Sequence, residues 1–329
     1  MPSSVTHTYF ACCVYQNINN KSKQKIKNNL EYFKLFSQGA DPFMFYHFLI
    51  GKKGKKLQYQ MHTQNTREFF YHIIDCIKKN HLENNPEVLS YLYGYICHYY
   101  LDLTTHPYIN YQAGLFDKKD KSTYPSNTLH QKIEYRIDSY FIQEKLKQNP
   151  LTFKPHKYIF KAKSLSKELK DTINFSIEKT YHIKNSSKLY EKSIWYMQQF
   201  FRIINYDPLG YKQKIYKTID KLSPKWTTRL EELSYHTNDI GLEYLNLEHQ
   251  KWCYPWDNGK YFTTSFLDLF EEATNKATST INEVTDLLEE KEISKNKFNK
   301  IFKDLSYVTG LPCKEKVTYQ YFKKRTRKK

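Results

Sequence analysis

Apolar side chains recur every three to four positions along most of this chain, the periodicity of an amphipathic helix. Glycine is scarce, at 9 of 329 residues. Alternating strand patterns are almost absent, with one short candidate at Lys157–Lys161. The pattern therefore predicts an all-α fold, built as a single large multi-helical domain. The predicted helices cover residues 5–18, 22–37, 67–80, 86–104, 127–148, 164–181, 187–205, 263–289 and 294–307.

Prolines and changes in composition predict where elements and regions end. Pro86 suits the first turn of a helix, whereas Pro107 is expected to end the helix that Pro86 begins. The basic, proline-containing stretch over residues 150–163 is typical of a connector. We therefore divide the chain into a first helical region over residues 1–149, helices over 150–310 that pack on the same domain, and a basic tail over 311–329.

Length and cysteine content narrow the class of protein. A chain of 329 residues can bury a large core. It has no run of 18 apolar residues, so no membrane-spanning helix is expected. Its first residues lack the basic start and long apolar stretch of a signal peptide. The six cysteines show no CxxC spacing, and Cys76 and Cys97 are predicted to be reduced core residues. Together these features predict a cytoplasmic protein.

The chain is strongly basic, with a formal net charge of +18 and a pI near 9.3. The end of the chain, Lys323–Lys329, concentrates positive charge. Such charge favours an anionic membrane surface or nucleic acid as a partner. The abundance of Lys, Asn, Ile and Tyr offers a second explanation, because biased base composition produces the same charge without a function.

Metal-ligand residue types are concentrated between Tyr93 and Glu134. His98 and Asp102 are spaced i, i+4, as are His130 and Glu134. On a helix this spacing stacks both side chains on one face. An imidazole beside a carboxylate is half of a zinc site, and two such pairs close together suggest a multinuclear site for phosphoester chemistry. The alternative is a buried, hydrogen-bonded His–Asp pair without a metal.

Further candidate ligands lie upstream. His7 follows the first few residues, Asp41 lies in a turn before Pro42, and His62 is predicted to lie in a loop before the helix that starts near residue 67. Taken singly, Asp41 is typical of a turn or cap residue and His62 of a solvated loop residue. Together they would complete a closed cluster. We therefore expect residues 1–149 to form a metal-binding helical region.

The order of these residues resembles the zinc-dependent phospholipase C family. That family shares its fold and trinuclear zinc site with the single-strand-specific zinc nucleases. The resemblance is specific over about residues 1–140 and faint over roughly 186–290. It is carried by Thr6-His7-Thr-Tyr-Phe10, Gly39-Ala-Asp41-Pro-Phe43, Met61-His62, Tyr93-Gly94, His98, Asp102, His106-Pro107, His130 and Glu134.

The resemblance implies two or three zinc ions, and it implies a ligand set for each. Pro2 would contribute its amine and carbonyl once Met1 has been removed, where familiar members of the family have a tryptophan. His106 follows Asp102 more closely than the family pattern leads us to expect. The first zinc would take Asp41, His62, His98 and Asp102, the second His106, His130 and Glu134, and the third His7, a shared oxygen of Asp102 and Pro2.

The resemblance also implies zinc-assisted hydrolysis of a phosphodiester, with a phospholipid as the first expected substrate. Asp41 would orient or deprotonate the water. Arg67 or Arg136 is a candidate to assist the phosphate. The best-placed aromatic residues to stack a base or to cage a choline are those after Asp41, namely Phe43, Phe45 and Tyr46.

Two other functions remain open. A zinc-dependent single-strand nuclease would use the same metal chemistry on a different substrate. A non-catalytic, basic, helical nucleic-acid-binding protein would explain the charge, but it would not explain the ordered ligands.

Overall fold

The computed structural model describes residues 4–47, 52–117, 119–162, 164–222 and 229–323. Helices dominate this part of the chain, which confirms the all-α class. They are α1 (Ser4–Asn17), α2 (Asn20–Ile26), α3 (Leu30–Phe36), α4 (Pro42–Phe45), α5 (Lys52–Thr63), α6 (Thr66–Lys79), α7 (Pro86–Ala113), α8 (Tyr124–Tyr140), α9 (Pro155–Tyr158), α10 (Lys167–Tyr181), α11 (Ser186–Gln199), α12 (Tyr211–Leu222), α13 (Phe266–Glu289) and α14 (Lys295–Ile301).

Several helices differ from the predicted ones. The single helix expected over residues 22–37 is two, α2 and α3, because the backbone leaves the helical region at Asn29, a residue type that favours helix ends. The helices α5 and α12 were not predicted. Both are rich in lysine and bury few apolar side chains: α5 buries Leu57 and Met61 in the core, and α12 buries only Asp220.

The described strands form one small hairpin. Strand β1 (Trp252–Tyr254) pairs antiparallel with β2 (Asp257–Phe262), and Trp252 packs on Tyr108 of α7. The strand considered at Lys157–Lys161 is wrong, because its first residues belong to α9. Pro155 takes the first turn of that helix, where its missing N–H leaves no hydrogen bond unmade.

The long helix α7 lies at the centre of the fold and is buried along most of its length. It packs against α1 and α3 from the first half of the chain and against α13 from the second. The main hydrophobic core likewise contains residues from both halves of the chain. Cys76 and Cys97 are buried and free, as predicted. The region boundaries at residues 149 and 310 stay predictions.

Contrary to expectation, Pro107 does not end α7, which continues to Ala113. A proline inside a helix forfeits one backbone hydrogen bond and crowds the carbonyl four residues earlier, here that of Leu103. Gly310 packs beside this carbonyl, so closely that an added Cβ would lie 3.2 Å from its oxygen. Polar contacts from His106 and Asn110 to the backbone at residues 307–308 hold the helix on both sides of the proline.

The region after residue 311 is partly built into the fold. The backbone N–H of Gln320 and that of Tyr321 donate to the carbonyl of Pro255, and Tyr319 packs against Trp256. Residues 319–321 therefore lie against the hairpin, whereas residues 324–329 of the predicted basic tail lie outside the described residues. Within the described ranges, we find no helix that combines the length and the apolar character needed to cross a membrane.

Candidate metal centre

Three candidate ligands project from α7. His98, Asp102 and His106 are spaced by four residues, and all three are buried. The Asp102 Oδ2 atom lies 3.3 Å from His98 Nε2 and 3.8 Å from His106 Nδ1. The predicted sharing of one helical face is therefore confirmed. Because the helix runs past Pro107, His106 lies on the same rigid element as the other two.

The second helical pair lies on α8. His130 Nε2 is 2.9 Å from Glu134 Oε1, and His106 Nε2 approaches the same oxygen to 3.7 Å. His106, His130 and Glu134 form a group whose ligand atoms all lie within 4.8 Å of one another. The structure thus brings together the three residues that the resemblance implied for one zinc.

Asp41 and His62 join the α7 ligands from two other elements. Asp41 immediately precedes α4, and His62 lies on the last turn of α5, so its expected place in a loop was wrong. His62 Nε2 is 3.2 Å from Asp41 Oδ1, 3.2 Å from His98 Nε2 and 3.4 Å from Asp102 Oδ2. Gly39 permits this approach, because an added Cβ would lie 2.1 Å from the His98 ring.

These separations match a tetrahedral zinc site. Two atoms that bind one zinc ion at 2.0–2.1 Å in tetrahedral geometry lie about 3.3–3.4 Å apart. The distances from His62 to its three neighbours and from His98 to Asp102 span 3.2–3.4 Å. Two imidazole Nε2 atoms at 3.2 Å make a poor contact in a dry interior unless a proton or a cation lies between them.

His7 lies on the far side of Asp102. Its Nε2 atom is 3.1 Å from Asp102 Oδ1, the oxygen that does not face His62 and His98. His7 also groups with Asp41 and His98 within ligand distance. The two oxygens of Asp102 therefore face different histidines. Pro2, the other residue implied for this zinc, lies outside the described residues.

Backbone carbonyls orient two of the imidazoles. His62 Nδ1 is 2.8 Å from the carbonyl of Gln58, and His106 Nδ1 is 2.9 Å from that of Tyr307. A neutral imidazole that donates from Nδ1 keeps its Nε2 lone pair for a metal. The backbone N–H of Tyr307 also donates to the His62 carbonyl, and its ring packs on the His98 ring. Sequence reasoning missed Tyr307, which lies more than 200 residues from His62 and His98 in the chain and carries no ligand chemistry.

Asp138 is a second residue that sequence reasoning missed. Its buried carboxylate accepts hydrogen bonds from Val5 N, Thr6 N, Thr6 Oγ1 and the Tyr235 hydroxyl. This carboxylate fixes the start of α1, and with it His7, onto α8. Asp138 follows Glu134 by four residues, so the helical spacing that revealed the two pairs could also have revealed it.

The charges of the cluster suit a metal. Burial would raise the pKa of Asp102, but surrounding imidazoles, His106 first, hold it well below its usual range. Burial lowers the pKa of His98 to about 4 despite the nearby carboxylates. Burial opposes protonation of His62 as well, yet Asp102 and Asp41 raise its pKa to about 10. His62 must therefore lose a proton to bind a metal, so acid weakens such binding.

Several buried polar atoms in the cluster lack a hydrogen bond within the described part of the chain. They are both ring nitrogens of His7, Nδ1 of His98, and one oxygen each of Asp41 and Asp102. Buried polar groups are normally hydrogen-bonded, since leaving one unpaired costs about 1–3 kcal/mol. So many unpaired donor and acceptor atoms, aimed at one another, fit residues that bind metal ions.

A cleft of about 800 Å³ opens beside His130. Its aromatic residues are Tyr59, Phe116 and Tyr319. The expectation for Phe43 and Phe45 was wrong, because both are buried in the core, against Tyr190 and Phe200 respectively. Tyr46 packs on His47 and Tyr196 instead of lining the cleft. The complete lining is Tyr59, Asn110, Gly114, Leu115, Phe116, Asp117, Ser126, Asn127, His130, Val308, Val317, Thr318 and Tyr319.

The two arginines considered for the phosphate do not line this cleft. Arg136 is 6% exposed, and its guanidinium binds Asp239 and Glu232. Its charge is thus paired inside the fold, where Arg136 links α8 to the segment after α12. Arg67 lies on the first turn of α6, where its backbone N–H donates to the Asp304 carboxylate.

Acids and histidines from four helices and one turn are gathered beside a cleft in an all-α fold, in groups that could hold metal ions. The family model described as zinc dependent phospholipase C matches residues 6–185, and the chain belongs to that family. No curated protein and no solved structure shows a significant match. The match covers every described residue of the cluster. Membership confirms the resemblance and the all-α type, and it identifies zinc as the metal of the family.

Proposed function

We propose that this protein is a phospholipase C that hydrolyses phospholipid headgroups at a site of two or three zinc ions. The carrying observation is the position of Asp102. Its Oδ2 atom faces His62 and His98, while its Oδ1 atom faces His7. A carboxylate that serves two sets of imidazoles fits neighbouring metal ions better than one isolated ion.

The ligand assignment follows the family resemblance, and the short distances around Asp102, His62 and Glu134 support it. One zinc takes the four residues with near-tetrahedral separations, Asp41, His62, His98 and Asp102. Another takes His106, His130 and Glu134. A third takes His7 with the remaining oxygen of Asp102. The carbonyls of Gln58 and Tyr307 keep His62 and His106 in the tautomer that each ligand role requires.

Zinc, when bound, supplies an acidified water and positive charge that offsets the charge of the phosphodiester. The protein contributes the geometry and a proton acceptor. Asp41 accepts from Gln58 at Oδ1, whereas its Oδ2 is among the atoms without a hydrogen bond in the described ranges. We assign Asp41 Oδ2 as the group that orients the water and takes its proton.

The cleft beside His130 is the proposed headgroup site. Tyr59, Phe116 and Tyr319 present aromatic surface to it, and Asp117 adds a carboxylate. Aromatic faces and a carboxylate suit a quaternary ammonium. The same rings could stack a nucleobase, so a single-strand nuclease is the second candidate. A non-catalytic nucleic-acid-binding protein leaves the buried, unpaired ligand atoms unexplained.

Turnover of two substrates by the zinc-loaded protein decides between the candidates. We expect release of phosphocholine from a short-chain phosphatidylcholine and no cleavage of single-stranded DNA under the same conditions. A chelator should stop the release, and added zinc should restore it. Cleavage of DNA with an inert lipid would assign the site to a nuclease, and turnover of neither would refute the proposed activity.

A further inference from the structure

The helix α12 is mounted with its apolar side facing outwards. Tyr211, Ile215 and Leu222 fall within about 40° of one another around the helix, at 3.6 residues per turn. They are 62%, 57% and 80% exposed, respectively. A surface helix ordinarily turns such a stripe towards the core. We call these three side chains the α12 stripe.

The opposite face of α12 is polar and is bonded to the protein. The Asp220 carboxylate accepts the backbone N–H groups of Leu230 and Glu231. Gln213 donates to the carbonyl of His236, and the hydroxyl of Tyr216 donates to that of Ile204. The outward position of the stripe is therefore fixed by hydrogen bonds on the other side of the helix.

Neighbouring side chains extend the apolar surface. Ile203 is 56% exposed and Leu209 is 68% exposed. The ammonium group of Lys212 on α12 donates to the carbonyls of Ile203 and Tyr206, which ties the segment before α12 to the helix. Exposed large apolar side chains are normal when scattered singly, but a group of them marks an interaction surface.

Among residues 202–222, every exposed charged side chain is basic. Arg202, Lys214, Lys217 and Lys221 are exposed. The acids of the same stretch are Asp207 and Asp220, which are 4% and 3% exposed. Asp207 accepts from Gln213 N and Ser234, and Asp220 accepts the N–H groups described above. Within residues 202–222, the surface therefore combines outward apolar groups with exposed positive charge.

A short chain of contacts joins α12 to the proposed headgroup cleft. Asn127 lines that cleft, and the next residue, Thr128, accepts the N–H of Arg229 at its hydroxyl. The Arg229 guanidinium donates to the carbonyl of Asp220. The last turn of α12 thus lies two hydrogen bonds from the rim of the cleft.

We propose that the α12 stripe is an interfacial membrane-binding surface that inserts into an anionic phospholipid bilayer. Amphipathic helices of this kind place apolar side chains at the acyl boundary and lysines among the headgroups. This proposal rests on the proposed function, because binding of the α12 stripe to a membrane would bring the headgroup cleft to its lipid substrate. A second copy of the chain is the less favourable occupant. A symmetric pairing of two stripes would bring the same basic residues together.

Partition onto phosphatidylcholine vesicles with and without phosphatidylserine tests this surface. Zinc-loaded protein is mixed with the vesicles, and partition is measured within seconds as energy transfer from tryptophan to a dansyl-labelled lipid. We expect Ile215→Asn/Leu222→Asn to lower partition at least about tenfold on both vesicles, because two inserted aliphatic side chains are lost. Lys214→Gln/Lys217→Gln/Lys221→Gln should lower it about fivefold per lysine, on the phosphatidylserine vesicles alone.

Matched controls change other exposed leucines and lysines, away from α12. Leu242→Asn/Leu247→Asn and Lys291→Gln/Lys295→Gln/Lys300→Gln should partition like the wild type. Unchanged partition of both α12 variants would overturn the proposal. So would a concentration-dependent dimer, seen by light scattering, that Ile215→Asn/Leu222→Asn abolishes without any effect on vesicles. Monomeric dihexanoyl phosphatidylcholine separates the two proposals. The α12 variants should hydrolyse this monomeric lipid at the wild-type rate. If the wild type does not hydrolyse it but still partitions onto vesicles, only the proposed phospholipase activity is refuted.

Discussion

Replacing Asp102 with asparagine will remove about two zinc equivalents per chain and lower kcat roughly a thousandfold. The reason is that both oxygens of Asp102 are engaged, Oδ1 towards His7 at 3.1 Å and Oδ2 towards His98 at 3.3 Å. An amide offers one oxygen and no charge, so it cannot serve two metals. Loss of a single electrostatic contact at a reacting centre costs about 10²–10³ in rate. Elemental analysis and turnover of the purified variant measure both effects.

Glu134→Gln is the matched control for this variant. Glu134 belongs to one ligand group, with His106 and His130. We expect this change to cost about one zinc, whereas Asp102→Asn costs about two. If Asp102→Asn retained the full zinc content of the wild type, the shared carboxylate would be ruled out.

Replacing Asp138 with alanine will destabilise the fold by about 3–5 kcal/mol, because several buried donors lose their acceptor at about 1–3 kcal/mol each before relaxation. It leaves the N–H groups of Val5 and Thr6, the Thr6 hydroxyl and the Tyr235 hydroxyl without their acceptor. Because these groups hold α1 on α8, the zinc ion that we propose for His7 should also be lost. Chemical unfolding and zinc content report the two effects, and a variant with wild-type stability would contradict this role.

Asp138 also predicts a pH dependence. Burial raises its pKa to about 6, although Tyr235 and Thr6 donate to it and oppose the shift. The folded-state pKa lies above the unfolded value of about 4, so ionisation is harder in the folded state. The stability that this group contributes is full below about pH 4 and is lost as the pH rises through about 6. Relative to Asp138→Asn, the wild type should lose stability between pH 4 and 7.

The sequence could predict the helical part of the cluster because the relevant spacing is local. His98 with Asp102, and His130 with Glu134, need only a helix to lie side by side. The places of Asp41 and His7 came from the ordered resemblance, since no local pattern connects them to α7. Tyr307 escaped prediction because its role depends on a backbone carbonyl, which every residue carries.

Other misses share a physical cause, which is that tertiary contacts override local preference. Pro107 was expected to end α7, yet the helix continues because His106 and Asn110 are anchored to residues 307–308. Phe43 and Phe45 are near Asp41 in sequence but point into the core. Tyr59 reaches the cleft from α5, a helix whose lysines concealed it from the apolar pattern.

The zinc content of the wild-type protein tests the central claim most directly. Protein purified without chelator, reconstituted with excess zinc and freed of loosely bound ions should hold two or three zinc ions per chain by elemental analysis. Acidification should release them, because ligands such as His62 then take up protons. A protein that binds one zinc ion or none after reconstitution would contradict a multinuclear hydrolase site.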